Sequence, residues 1–256
     1  MALAQSARRP IEGAVATLGV SDRVDFLRKT YSHLGLAVVA FALLTAGILK
    51  YMTALSWRMS EWAVMHERWH WAIVLGAFMG IGYVADRLAM SNASRGAQYL
   101  GLLLGVAGWA VIFQPMIWIL MILFNPALDI NHPALDGEAA HILVQAIVIT
   151  LAVFVGLTLT VVLTKKDFSF MRGVLSIGSF AALGIIASGI IFGFNLGVWF
   201  SAGMILLMGG YILYQTSLVL NYFPPTGYVA AALMLFSTLA TLFWYVLRLL
   251  MELNRR

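Results

Sequence analysis

The sequence predicts an all-α integral membrane protein, a bundle of seven transmembrane helices. The chain of 256 residues is 62% hydrophobic and only 11% charged, and its mean hydropathy of +0.91 is far above that of a soluble domain. Its apolar residues also run in stretches near the ~20 residues that a helix needs to cross the hydrocarbon core. Because these runs are continuous rather than alternating, they predict helices and not the strands of a barrel.

Prolines and short connections mark where the predicted helices bend or end. Gln114-Pro115 predicts a kink in the third span, because proline removes a helical hydrogen bond. The short connection 192–197 predicts a tight antiparallel pair, and Pro224-Pro225 ends the sixth span. The seven spans are expected at 31–54, 70–88, 97–124, 141–163, 171–193, 195–220 and 228–251.

The first residues of the chain predict how it is inserted. Residues 1–25 lack the apolar core of a cleavable signal peptide, so the first span is expected to act as the insertion signal, with no cleavage. We expect residues 1–29 to form a cytoplasmic amino-terminal arm and residues 30–256 to form the transmembrane domain.

The distribution of the 16 lysines and arginines predicts a cytoplasmic amino terminus. The larger group lies on the amino-terminal side, and cytoplasmic segments carry the excess of basic residues. A re-entrant last segment would add the basic tail to that side, but residues 228–251 are long enough to cross. The larger group is Arg8, Arg9, Arg23, Arg28, Lys29, Arg87, Arg95, Lys165, Lys166 and Arg172; the smaller is Lys50, Arg58, Arg68, Arg248, Arg255 and Arg256.

Several functional classes are excluded by residue types. With no cysteine, thiolate metal sites and disulfides are excluded. Haem between helices needs facing histidine ligands, yet no span carries two histidines. Retinal needs a lysine within a helix, and every lysine lies outside the span interiors. No nucleophile with a base and no phosphate loop is recognisable, so no enzyme activity, cofactor or metal is predicted. The basic residues mark topology and not a nucleic-acid surface.

Acidic residues are absent from the predicted span interiors. Asp86, at the end of the second span, is the deepest, and Arg87 beside it suggests a solvated ion pair. The predicted bundle therefore has no obvious buried carboxylate for a proton relay.

The last span carries a polar stripe. Thr238, Thr241, Tyr245 and Arg248 follow at steps of three, four and three, which places them on one helical face. We expect this face to point into the bundle, either as plain helix packing or as part of a polar path. Arg248 is expected to reach the interface or to pair with a carboxylate, for which the candidates are Glu252, Glu61 and Glu67.

Pairs of glycines at four-residue spacing recur in the spans. Such pairs let membrane helices approach closely, so we expect them at helix contacts. The pairs are Gly76 and Gly80, Gly101 and Gly105, and Gly189 and Gly193.

Four stretches resemble the Bax inhibitor-1 family, also called the transmembrane BAX inhibitor motif family. FLRKTYSHLGLAV is similar to the family's opening into the first span, and FVGLTLTVVLTKKDFSFMRGVLSIG contains its Thr-Lys-x-Asp-Phe-Ser loop. YILYQTSLVL and YVAAALMLFSTLATLFWYVLRLL resemble its last two spans. The stretches are Phe26 to Val38, Phe154 to Gly178, Tyr211 to Leu220 and Tyr228 to Leu250.

The resemblance implies a seven-helix fold with the last helix central. Bacterial members are described as pH-sensitive calcium leak channels in which one aspartate in each of the last two spans shares a proton. The positions that match these aspartates here are Gln215 and Thr238. An amide and a hydroxyl do not titrate near neutral pH, and they offer Ca²⁺ only neutral oxygens, so the family's acid gate is expected to be lost.

Two functions stay open at this stage. The first is a regulatory or partner-binding subunit, expected in a bacterial inner membrane with lipid and other membrane proteins as its partners. The second is a calcium or cation leak without acid gating, in which Asp86 supplies a substitute charge. The polar path would comprise Gln215, Thr216, Thr238, Thr241, Tyr245 and Arg248.

Overall fold

The computed structural model describes residues 15–17, 19–91 and 94–255, which form nine α-helices with short connections. Strands are absent from this described part of the chain, as the all-α prediction requires. The helices are α1 (Val20–Tyr51), α2 (Thr53–Val64), α3 (Arg68–Ala89), α4 (Arg95–Ile112), α5 (Gln114–Phe124), α6 (Gly137–Thr164), α7 (Arg172–Phe192), α8 (Gly197–Asn221) and α9 (Tyr228–Asn254). Short 3₁₀ turns occur at Val15–Thr17 and Ser169–Met171.

Within the described residues, seven segments are long and apolar enough to cross a membrane, which confirms the predicted bundle. Six of the seven agree with the predicted spans to within a few residues. Helix α9 is central, since it contacts α1, α3, α4, α6 and α8 and most of its apolar window is buried. It runs unbroken over 27 residues, which is long enough to cross the hydrocarbon core as one helix.

The first span begins well before residue 31, where it was expected. Helix α1 starts at Val20 and continues through the charged region, where Lys29 pairs with Asp25 at 2.6 Å one turn earlier. Charged side chains lower the local hydropathy but do not interrupt a helix whose exposed side can carry them. The expected boundary between arm and membrane domain at residues 29 and 30 thus falls inside α1. The rest of the expected arm, residues 1–14 and 18, lies outside the described residues.

Helix α2 was missed by the sequence analysis, which expected a loop after the first span. The chain turns at Met52 and forms a second helix that packs against α5. The inward side of α2 is small and polar, with Ser56, Ser60 and Ala63 buried. A short helix that buries serines gives no apolar signal.

The predicted break in the third span is confirmed. Helix α4 ends at Ile112, Phe113 forms the turn, and α5 begins at Gln114 with Pro115 in its first turn. Proline is accepted at this position because the backbone N–H groups of a first turn need no partner within the helix. The two halves together are still long and apolar enough to cross a membrane as one segment.

One of the three glycine pairs lies at a helix contact as predicted. A Cβ at Gly101 would lie 2.5 Å from the backbone nitrogen of Ala89, and a Cβ at Gly105 would lie 2.5 Å from Leu233 Cδ1. These glycines let α4 approach α3 and α9.

The other two pairs were wrongly assigned to helix contacts. Gly76 and Gly80 have nothing within 4 Å of a Cβ position, because they lie on the exposed side of α3. Gly193 ends α7 with φ of +77°, and the atoms nearest to a Cβ at Gly189 belong to the turn that follows. Four-residue spacing therefore does not by itself identify a helix contact.

Candidate functional site

Gln215 of α8 and Thr238 of α9 are in direct contact inside the bundle. The Thr238 hydroxyl donates a hydrogen bond of 2.7 Å to Gln215 Oε1, with the Met234 carbonyl at 3.3 Å as a second acceptor. Thr238 is buried and lies about 15 Å from the first residue of α9, well inside the span. The contact joins two helices through groups that stay neutral at any physiological pH.

A cavity of about 1300 Å³ begins one turn further along α9. Its walls come from α3, from the broken α4–α5 span, from α7 and from the second half of α9. Thr241, Tyr245 and Arg248 line it, whereas Thr238 faces α8 instead. The predicted polar stripe thus divides between a helix contact and a cavity wall.

Arg248 pairs with Glu252, one of the three carboxylates considered from the sequence. The distance from Arg248 Nε to Glu252 Oε1 is 3.0 Å, and both side chains are about a quarter exposed. Ser201 of α8 donates a hydrogen bond of 3.3 Å to the other carboxylate oxygen. The pair lies at the cavity wall near the end of α9.

Asp86 lines a different and much smaller cavity, of about 40 Å³, together with Ser237 of α9. The expected Asp86–Arg87 ion pair is wrong: Arg87 Nε donates instead to the Tyr83 hydroxyl at 3.1 Å, over whose ring it packs. The i,i+4 position of Tyr83 is within reach along the helix, whereas adjacent residues point apart. Asp86 therefore lies near Ser237, the residue before Thr238, but it does not line the large cavity that Thr241, Tyr245 and Arg248 line.

Phe78 and Trp109 line both cavities. Their rings meet edge to face with centroids 4.8 Å apart. No role was predicted for this aromatic pair from the sequence, and the pair is shared by the linings of the large cavity and the Asp86 cavity.

Thr216, the remaining residue of the expected polar path, does not line the large cavity. It is fully buried and its hydroxyl lies beside that of Tyr31 on α1. The structure therefore places Thr216 beside Tyr31 of α1 and not in the lining of the large cavity.

Asp167 belongs to the loop that resembles the family's Thr-Lys-x-Asp-Phe-Ser element, and no functional role was predicted for it. Its Oδ1 accepts hydrogen bonds from the Ser169 backbone N–H at 2.8 Å and the Ser217 hydroxyl at 2.9 Å, and its Oδ2 accepts from the Tyr222 hydroxyl at 2.9 Å. Burial alone would raise the pKa of Asp167, but these donors outweigh it and lower the pKa. The carboxylate ties the α6–α7 loop to the end of α8.

A second missed group joins α1, α2 and the broken span. Ser56 donates to Gln114 Oε1 at 2.8 Å and accepts from Trp118 Nε1 at 2.9 Å. The Gln114 amide donates to the carbonyls of Thr45 at 3.2 Å and Ala110 at 3.0 Å. Gln114 is fully buried, and all of its side-chain hydrogen-bonding atoms have partners.

None of the histidines among the described residues is buried: His33 lies partly exposed within α1, and the others lie in connections or in first turns of helices. His33 contacts Tyr99 at 3.1 Å and packs against the Tyr228 ring, and the His66 and His70 rings are neighbours in the α2–α3 connection. Within the part of the chain that the structure describes, no three His, Asp or Glu side chains are grouped to hold a metal ion.

The sequence matches a family model described as inhibitor of apoptosis-promoting Bax1, over residues 23–256. It is 28% identical over 242 residues to Bax inhibitor 1 of Schizosaccharomyces pombe, covering 92% of this chain and 79% of that protein. It is 27% identical over 251 residues to protein lifeguard 4 of Mus musculus, covering 94% of this chain and 91% of that protein.

A shorter similarity links the chain to an uncharacterised protein of Pseudomonas aeruginosa. The two are 32% identical over 115 residues, which is 44% of this chain. The match spans about half of that relative's length, 50%.

Proposed function

Because this chain belongs to the Bax inhibitor-1 family, we propose that it is a regulatory or partner-binding membrane protein whose bundle does not open or close with protons. Its proposed setting is a bacterial inner membrane with the amino terminus in the cytoplasm. The name of the yeast relative, Bax inhibitor 1, describes action on another protein. That kind of partner-directed role is what we carry over.

The observation that supports the proposal is the 2.7 Å hydrogen bond between Thr238 and Gln215. Two carboxylates at this distance would share a proton and titrate as a coupled pair. A hydroxyl and an amide keep the same hydrogen bond at every pH, so α8 and α9 stay joined when the proton concentration changes.

Calcium flux into liposomes between pH 6 and pH 8 tests this proposal. We expect the calcium flux of the wild type to be the same at every pH in this range. The double substitution Gln215→Asp with Thr238→Asp should make the flux depend on pH. The neutral double substitution Gln215→Asn with Thr238→Ser is the matched control and should behave as the wild type. Wild-type flux that changes with pH and disappears in Asp86→Asn would overturn the proposal.

Partner binding requires its own measurement. Extraction of the chain from native membrane with its lipid, followed by cross-linking, should yield a defined complex with another membrane protein. A chain that is recovered only by itself under these conditions would contradict the partner-binding role.

The large cavity favours a second candidate function, a calcium or cation leak without acid gating. The cavity reaches Thr241, one helical turn from the Thr238–Gln215 contact, and the Phe78–Trp109 pair separates it from Asp86. Opening of that aromatic pair would join the two cavities. Trp109→Ala should then raise calcium flux while Trp69→Ala, at an exposed position that lines neither cavity, should not. A complete absence of flux in all of these variants would rule out the leak.

A further inference from the structure

The large cavity combines apolar walls with charged residues at one end only. Aromatic and aliphatic side chains of α3, α5 and α7 line most of it, among them Trp71 and Ile186. Its Lys, Arg, Asp and Glu residues are Arg248 and Glu252, in the last turns of α9, and Arg255, which directly follows that helix. This is the charge distribution of a site for an amphiphile and not for a water-soluble ion.

The depth of the cavity matches one leaflet of a bilayer. Its lining along α9 extends from Thr241 to Arg255, which is about 21 Å of helix. Half of a bilayer with its headgroups is about 20–22 Å thick. Trp199, which is 90% exposed, lines the charged end. Exposed tryptophans are typical of the headgroup level.

The charged end of the cavity has two arginines but only one glutamate, so it carries an excess of positive charge. Arg248 donates a hydrogen bond from Nε to Glu252, and it makes no further hydrogen bond with the described residues. A guanidinium has five N–H donors, so four stay available for another anion. Arg255 is exposed and has no carboxylate partner among the described residues.

We propose that this cavity holds one anionic phospholipid, with its acyl chains against the apolar walls and its phosphate at Arg248 and Arg255. Arginine binds phosphate oxygens with paired N–H donors, which suits a headgroup at this level. A bound lipid would also fill the space between α7 and the centre of the bundle. The inference goes beyond the regulatory role and does not rest on it, but lipid occupancy leaves no water path through the large cavity.

Native mass spectrometry of the full chain in detergent tests the inference. Dioleoyl phosphatidylglycerol should stay bound as a single molecule, more tightly than dioleoyl phosphatidylcholine. Arg255→Gln and Arg248→Gln should each weaken phosphatidylglycerol binding by about fivefold. The double substitution Lys165→Gln with Lys166→Gln removes charge from the opposite end of the bundle and should leave the affinity unchanged.

A cavity-filling variant separates this site from attraction at the protein surface. Ile186→Trp keeps every charge but reduces the space beside α7, so it should weaken phosphatidylglycerol binding as well. This variant and Arg255→Gln also test the inference should Arg248→Gln fail to fold, since Arg248 is paired with Glu252.

Several results would overturn the inference. Equal binding of the two phospholipids, or full binding in Ile186→Trp, would show that lipid adheres elsewhere. Tighter binding of oleate would assign the cavity to a single-chain carboxylate. Retention of no lipid at all would make it a water-filled vestibule. Because none of these measurements uses ion flux, their outcome is distinct from that of the tests on the Thr238–Gln215 contact.

Discussion

Individual polar side chains form hydrogen bonds between helices of this bundle, whereas the apolar surfaces do not by themselves specify which helices pair. Thr238, Asp167 and Gln114 each bond to an element distant in sequence. In lipid, apolar surfaces gain little by meeting each other, so such directional contacts and close packing decide which helices associate. Substitution of these single residues therefore tests which helix contacts stabilise the fold.

Asp167→Asn should destabilise the folded protein by about 1 kcal/mol at pH 7, because the charged acceptor of three hydrogen bonds is lost from a partly exposed site. Its folded pKa is lowered, so the stabilisation is present above the ordinary carboxyl pKa of about 4 and is lost as the pH falls through the folded value. Unfolding in detergent at pH 7 and at lower pH should show the difference from the wild type shrinking.

A neighbouring substitution controls for the loop as a whole. Lys166→Gln changes an exposed charge beside Asp167 and should leave stability unchanged at either pH. If Asp167→Asn unfolds like the wild type at pH 7, the carboxylate does not secure the loop to α8.

Gln114→Leu should destabilise the protein by about 1–3 kcal/mol, because the Ser56 hydroxyl and the Thr45 carbonyl lose a partner inside the bundle. Unfolding of Ser56→Ala, Gln114→Leu and the double variant forms a mutant cycle. The two effects should fall short of additive by about 0.5–3 kcal/mol. Additive effects would mean that the hydrogen bond between α2 and α5 contributes nothing.

At the level of elements, apolar runs were sufficient to predict seven spans but not the contacts that order them. The break at Pro115 was predictable because proline restricts the backbone locally. Helix α2 was not, because its buried side consists of serines and an alanine. The Asp167 contact was equally hidden, since its partner Ser217 is on a distant helix. Local constraints can be read from sequence, while the pairing of distant polar groups depends on the tertiary structure.

The candidate site was predicted in part for the same reason. A three-residue and four-residue spacing placed Thr241, Tyr245 and Arg248 on one face, and they do line one cavity. The same pattern could not show that Thr238 contacts α8 or that Thr216 faces Tyr31. Periodicity assigns a residue to a face of its own helix but does not say which helix lies opposite.

Gly101→Ala should destabilise the bundle by more than about 1 kcal/mol, because the added Cβ would lie 2.5 Å from a backbone atom of α3 that cannot move aside. Gly76→Ala is the matched control, since nothing lies within 4 Å of that position. Alanine favours a helix over glycine, so the control should be neutral or stabilising by up to about 1 kcal/mol. Thermal unfolding of both variants in detergent measures the contrast.

Equal effects at the two glycines would contradict the close approach of α3 and α4. Stronger destabilisation by Gly76→Ala in the native membrane than in detergent would indicate instead that another chain covers the exposed side of α3.

For the molecule as a whole, the two ends of the bundle differ in character. One end gathers the start of α1, the Asp167 loop and the contact between Val15 N–H and the Phe223 carbonyl at 2.9 Å. The other gathers α2, the α5–α6 connection, the mouth of the large cavity and the end of α9. Seven crossings would put the start of α1 and the end of α9 on opposite sides of the membrane, so the orientation of one of them fixes the side on which every described loop lies.

The absence of native cysteine makes that orientation directly measurable. Single cysteines at Lys166, Asn131 and Asn254 all occupy exposed positions. With a cytoplasmic amino terminus, a membrane-impermeant maleimide should label Asn131→Cys and Asn254→Cys in cells whose inner membrane is intact, and Lys166→Cys only after permeabilisation, because the basic loop is expected inside. Asn254→Cys behaving like Lys166→Cys would mean that α9 does not complete its crossing. Labelling of Lys166→Cys alone in intact cells would reverse the whole molecule and place the mouth of the large cavity in the cytoplasmic leaflet.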